Sequence, residues 1–436
     1  MRARSRHVSS QVRAAYLTVV LACCLPAASC RRTPPRASAP DAARPAVLDE
    51  AKALGAAGRY DEALAKLQAA RAQAPEPSRG WIDAAIGRLA LRLGQEPLAE
   101  EALRRAMVAA RASGRTQDLV RDGFALFWLY QARQQRFAEA RALLDELAPA
   151  ATSYAEGRVL HDFYAGQLAE HTGDLRRALA SLRASRRRAL DGGFEETAYH
   201  AGGELARVLV ALGRADEAVA MFEEMLRVPP ADPCEHAATR LNLAWARAEQ
   251  AARALDRASG DALGAALATA REAAFACPDP DRRRVAVVQQ IRHALIAGDH
   301  RAAGQHLAEL DALGPAKAAT LSAWEAEVRG RFALVRGQAT SARTIFSEQV
   351  ERTRAAGLTE ELFRAEVGLG RAFVAEKKPA LAIAPLGRAL ALLERMVADV
   401  PLAEGRSSFL GSHDDGIRHL VAALVATGAH GQALET

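Results

Sequence analysis

The chain has 436 residues, 50% of them apolar, and a formal net charge of +6. Its first forty residues hold seven arginines and no acid, so the remainder is close to neutral. With 5% aromatic residues and no basic surplus outside that leader, the sequence carries no nucleic-acid footprint.

The leader has three parts: Arg2, Arg4, Arg6 and Arg13, then apolar Ala14 to Leu25, then Pro26-Ala27-Ala28-Ser29-Cys30. This is the form of a bacterial export signal. The apolar run is shorter than the about 20 residues a membrane-spanning helix needs. Ala27-Ala28-Ser29-Cys30 resembles a lipobox, which implies removal of residues 1–29 and a lipid on Cys30. Val20-Leu21-Ala22-Cys23 is a second match that leaves a shorter apolar run, and cleavage as an ordinary secretory signal is the plain alternative. The expected product is exported, a lipoprotein of the bacterial cell envelope that touches membrane only through its anchor. Residues 30–45 read as a tether, since four prolines and no large apolar residue lie in 31–45.

From residue 46 a helical unit recurs. With Gly58 as position zero, Ala63 falls at +5, Leu67 at +9, Ala70 at +12 and Pro75 at +17. Glycine at zero suits the left-handed residue that ends a helix, and the later proline forbids the second helix from continuing. Positions +5, +9 and +12 share one helical face, a small residue where helices cross and a large one beside it. The +5 alanine returns at 99, 140, 178, 218, 303, 342, 382 and 433, and zero is glycine at 94, 173, 213, 298, 337 and 428 but Gln135 and Lys377 elsewhere. A second small position lies seven residues before zero: Ala51, Gly87, Gly166, Ala206, Gly330 and Gly370. A unit over about 233–278 is degenerate, with an ambiguous register around Gly260.

Helix, glycine turn, helix, with small residues at both crossings, resembles the tetratricopeptide repeat. The resemblance implies an all-α fold, a right-handed α-solenoid of about nine to ten helix-turn-helix units over residues 46–400, stabilised by nearest-neighbour burial. It also implies a concave groove that holds a peptide or protein partner. Residues 401–436 read as an incomplete terminal repeat: Thr436 falls at +8, short of the +9 anchor. Leu420, Val421, Leu424 and Val425 are therefore expected on an uncovered edge open to self-association. Arg406-Ser407-Ser408-Phe409-Leu410, followed by Ile417–Glu435, resembles the junction to the protease-like domain of bacterial CHAT-domain proteins. That resemblance implies a regulatory half whose catalytic half is separate.

Chemistry is sparse. Gly368-Leu369-Gly370 lacks the third glycine and the strand of a dinucleotide fingerprint, so it reads as helix packing. His413-Asp414-Asp415 with His419 fits no standard ligand spacing and reads as a solvated helix cap. No nucleophile has a motif-level base, so neither catalysis, cofactor nor metal is expected. Trp81, Trp128, Trp245 and Trp324 read as packing residues of first helices.

The residue six before zero, which the resemblance places on the concave face, is basic at Lys52, Arg88, Arg207, Arg292, Arg331 and Arg371. Lys52, Arg207 and Arg331 have Asp49, Glu204 and Glu327 at helical spacing, whereas Arg88, Arg292 and Arg371 have no acid on their own helix. This ladder is the expected peptide-binding row, suited to gripping carboxylates of an acidic partner segment. The function so implied is a non-enzymatic interaction scaffold, and the alternative is the detached regulatory portion of a CHAT-type protease. Cys234 and Cys277, the only cysteines outside the leader, flank the degenerate unit at ends that an antiparallel helix pair brings together. A disulfide between them is expected in an oxidising compartment.

Overall fold

The computed structural model describes residues 44–436 apart from 229–231, 255–256, 278, 317, 399 and 401–404. The signal, most of the tether and Cys30 lie outside the described residues. Twenty-one α-helices and no strand are found among the described residues. They succeed one another as pairs: α1 (Val47–Ala56) and α2 (Tyr60–Gln73), α3 (Glu76–Leu93) and α4 (Glu96–Ala112), α5 (Thr116–Trp128) and α6 (Phe137–Ala151), α7 (Ala155–His171) and α8 (Leu175–Gly192), α9 (Glu195–Ala211) and α10 (Ala215–Arg227). Then come α11 (Pro233–Ala254) and α12 (Arg257–Ala276), α13 (Pro280–Ile296) and α14 (His300–Ala312), α15 (Ala319–Val335) and α16 (Ala339–Ala355), α17 (Thr359–Ala375) and α18 (Pro379–Ala398). The short α19 (Arg406–His413) precedes a last pair, α20 (Asp415–Ala426) and α21 (His430–Glu435), and a π-helical segment, Leu129–Gln134, extends α5. The result is an all-α solenoid.

The turns sit where the sequence places them. Position zero has positive φ at every described unit that carries its glycine, and Gln135 (54°) and Lys377 (62°) adopt the same left-handed conformation without one. Closing the first helix requires that backbone, whichever residue supplies it. The repeat has a further punctuation that sequence reading passed over: Gly114, Gly193, Gly314 and Gly357 end second helices with positive φ in the same way.

Packing explains the two small positions. The eight +5 alanines from Ala63 to Ala382 are all fully buried. The residue at −7 receives the +9 side chain of its own pair: a Cβ added at Gly87 would lie 2.6 Å from Leu103, at Gly330 2.5 Å from Phe346, and at Gly370 2.5 Å from Leu386. Gly370 is thus a packing residue, not part of a phosphate loop. Cores are local, as one formed by Leu48, Leu64, Leu67, Ile82 and Ile86 from α1 to α3 and another by Val287, Ile291, Leu307 and Val328 from α13 to α15. Such nearest-neighbour burial is what stabilises a solenoid.

By compactness the chain divides into two units: residues up to 168 with 184–201 form unit 1, and residues 169–183 with 202–436 form unit 2. Within unit 2 the irregular pair is long, 22 residues in α11 and 20 in α12, and Gly260 lies inside α12 instead of at a turn. Cys234 near the start of α11 and Cys277 just after α12 are bonded, with Cα atoms 5.0 Å apart and both side chains buried.

The expected adhesive edge is narrower than the sequence implies. Leu420 and Leu424 are buried against Ala382 and Leu386, because α20 packs on α18 as the next first helix. Val425 is 49% exposed and Leu434 89%, so the open apolar surface belongs to these two.

Candidate binding face

The ladder residues lie on first helices, and most meet carboxylates there. In unit 1, Arg88 of α3 pairs with Asp122 of α5, whose side chain is 2% exposed. Burial raises the Asp122 pKa, and Arg88 and Arg121 offset this only in part. Beside them Trp81 Nε1–H donates to Asp118 at 3.2 Å, with Arg115 stacked 4.4 Å above the Trp81 ring. Lys52 is exposed, and the Asp49 expected beside it faces Arg44 at 3.5 Å.

Unit 2 repeats this grammar on α15 and α17. Trp324 Nε1–H donates to Glu361 at 3.2 Å, and Arg292 lies 5.6 Å from the Trp324 ring centre. Glu327 receives Arg292 at 2.6 Å, Arg331 at 3.3 Å and Arg364 at 3.9 Å. Burial by itself would raise the Glu327 pKa, but the three guanidinium groups hold it down to about 2. Arg207 of α9 bridges Glu170 at 2.9 Å and Glu204 at 2.8 Å. Glu170 is raised by burial, with Arg207 opposing and Glu204 and Glu361 adding to the rise.

Arg371 differs from the paired members of the ladder. Among the described residues it has no carboxylate at ion-pair distance; burial lowers its pKa, Arg331 lowers it further, and Asp415 and Glu327 compensate only in part. His419 on α20 is likewise lowered, by burial and then by Arg371. The acids that Arg88 and Arg292 lack on their own helices come from the next first helix, which is why intrahelical spacing did not reveal them. Four of the six ladder residues are therefore paired, and among the described residues Lys52, exposed, and Arg371, partly buried, have no carboxylate at ion-pair distance.

Unit 2 also carries α19, which covers the Arg406–Leu410 segment and ends at His413. Phe409 is 1% exposed and stacks on His413, the ring centres 4.2 Å apart. His413 is buried rather than solvated: its Nδ1 lies 2.8 Å from the Phe409 carbonyl, its Nε2 3.1 Å from Glu360, and its ring 5.3 Å from that of Phe363. Burial would lower the His413 pKa, yet Glu360 and the Phe409 carbonyl raise it overall, and Glu360 is itself held below the usual carboxylate range. At its other end α19 meets the α9–α10 turn, where a Cβ on Gly213 would come 2.8 Å from the Ser408 carbonyl carbon.

Among the described residues no cluster of His, Cys, Asp or Glu is arranged to hold a metal, and no helix is long and apolar enough to cross a membrane. No protein-family model matches the chain, and no curated protein matches it. Among solved structures it is similar to the crystal structure of the APC/C hetero-tetramer Cut9-Hcn1, at 13% identity over 89% of this chain and 83% of that one, with a TM-score of 0.41. The architecture therefore stands on the helices described above.

Proposed function

We propose that the chain is a non-catalytic interaction protein that holds an acidic segment of a partner protein against Arg331 and Arg371 of unit 2. The observation that carries this reading is Arg371, a partly buried cation set beside a second one and left without a carboxylate of its own. A ligand carboxylate placed there gains charge-assisted hydrogen bonds without displacing an existing pair. Arg88, Arg207 and Arg292, by contrast, are spent on Asp122, Glu170 and Glu327, and the reading keeps Arg371 with Arg331, whose contact to Glu327 is the longer one at 3.3 Å. Purifying the full chain with Arg331 and Arg371 both changed to alanine, beside the unchanged chain, and identifying co-purified proteins by mass spectrometry tests it. Loss of an acid-rich partner from the variant is expected; the same partners in equal amount would overturn the reading.

The chain is further proposed to work outside the cytoplasm on a lipid at Cys30, a setting consistent with the bonded Cys234 and Cys277. Alkyne fatty-acid labelling that persists in Cys30→Ser would reject the anchor. The alternative, a regulatory repeat portion that controls a CHAT-type catalytic partner, rests on the Arg406–Leu410 segment, which is the body of α19. A His/Cys-containing protease domain encoded immediately downstream would favour it.

A further inference from the structure

α19 stands outside the repeat. α20 packs directly on α17 and α18, so the stack continues without it, while α19 itself touches the helices on either side of it in sequence only lightly. An isolated helix of eight residues is far below the length at which helices hold themselves together in water. Its place is therefore set by what it lies on: Glu360 and Phe363 of α17 at one end and the Gly213 turn at the other. Phe409 and, four residues on, His413 are its buried side chains and Arg406 donates to the Val400 carbonyl at 2.9 Å, whereas Ser407, Leu410 and Gly411 face solvent. Glu360 is not dedicated to α19, since it also accepts from Arg364 at 2.8 Å, and both retain about a third of their exposure, so water reaches the contact.

We infer that α19 is a ligand held in cis, and that its seat, where His413 meets Glu360 and Phe363 of α17 beside the buried Phe409, is a docking site for a partner helix carrying an aromatic residue and a cation four positions later. This rests on the reading of the first-helix face as a binding surface, and it adds that the Glu360 and Phe363 end of α17 is covered by the chain's own segment until a helix of that chemistry displaces it. Tethering gives such a segment a high effective concentration, so a free competitor must bind the bare site well to displace it.

The test uses the full chain and a fluorescein-labelled synthetic peptide of residues 405–413. Hydrogen exchange should show 405–413 opening at least tenfold faster than α17 and α20 in the unchanged protein. Phe409→Ala should bind the labelled peptide at least tenfold more tightly than the unchanged chain does, and adding Glu360→Gln to that variant should cost tenfold or more. Exchange of 405–413 only together with α17 and α20 would overturn the inference, because α19 would then be ordinary core; so would peptide binding equal in the two proteins. Exchange in the unchanged protein decides the matter even if Phe409→Ala fails to fold. Because the probe is the chain's own segment, a negative result here leaves the Arg331 and Arg371 reading standing.

Discussion

In unit 1 the buried carboxylate Asp122 has Arg88 as its close partner and Arg121 at 3.9 Å; in unit 2 Glu327 has Arg292, Arg331 and, at 3.9 Å, Arg364, and Arg371 has no carboxylate at ion-pair distance among the described residues. Both faces also carry a tryptophan that donates to an acid on the next first helix, Trp81 to Asp118 and Trp324 to Glu361. The framework is thus common and the stoichiometry of charge is not. The close Arg88–Asp122 pair is consumed in holding helices together, and breaking it strands a charge. An over-subscribed carboxylate leaves positive potential free for something else.

That contrast is sharpest in stability. Asp122→Ala strands the Arg88 guanidinium and is expected to cost about 3 kcal/mol, read from denaturant midpoints. Loss of less than about 1 kcal/mol would mean that water or Arg121's neighbours already carry the charge. Glu327→Gln should cost somewhat less, about 2 kcal/mol, since the amide still accepts a hydrogen bond while Arg292 and Arg331 lose their counter-charge and Arg364 keeps Glu360. The depressed Glu327 pKa gives the unchanged protein stability that is fully present above the unfolded-state value of about 4.3 and is lost as pH falls through about 2. The Gln variant should lack that acid limb. Changing Arg331 and Arg371 together to alanine should move stability by no more than about 0.5 kcal/mol, because neither is the sole partner of a buried acid.

The smallest effect concerns His413, which faces Glu360 and Arg364 on α17. Its raised pKa means that the contact is strongest below the unfolded value of about 6.5 and is lost as pH rises through the folded one. Exchange of 405–413, corrected for the intrinsic rate, should therefore quicken relative to α17 between pH 6 and 9. A constant ratio would mean that Phe409 alone holds the segment.

The repeat was legible because its determinants are local. Gly58, Ala63 and Leu67 fix a turn, a crossing and a filler within ten residues, and Gln135 and Lys377 fell into register although neither is glycine. The carboxylates were not, because each lies about 35 residues from its arginine, on the next first helix: Asp122 for Arg88, Glu327 for Arg292. A different row of acids is periodic, although Asp122 and Glu327 do not belong to it. An acid stands seventeen before zero at Asp118, Glu156, Glu196, Asp281 and Glu360, in the first turn of its helix, where the helix dipole also favours it. Nothing periodic announces α19, since its partners at Gly213 and Glu360 are distant in sequence and belong to different repeats.

The most direct test of the claim that Arg88 of unit 1 is spent on Asp122 while Arg371 of unit 2 is kept is binding of a labelled glutamate-rich peptide to three full-length proteins: unchanged, Arg88→Ala, and Arg331→Ala with Arg371→Ala. Fluorescence anisotropy should show binding weakened tenfold or more in the double variant, at unaltered melting temperature. Arg88→Ala should melt earlier and, below its transition, bind the peptide as the unchanged protein does. Equal affinity in all three proteins, or a loss in the Arg88→Ala protein as large as in the double variant, would contradict the account.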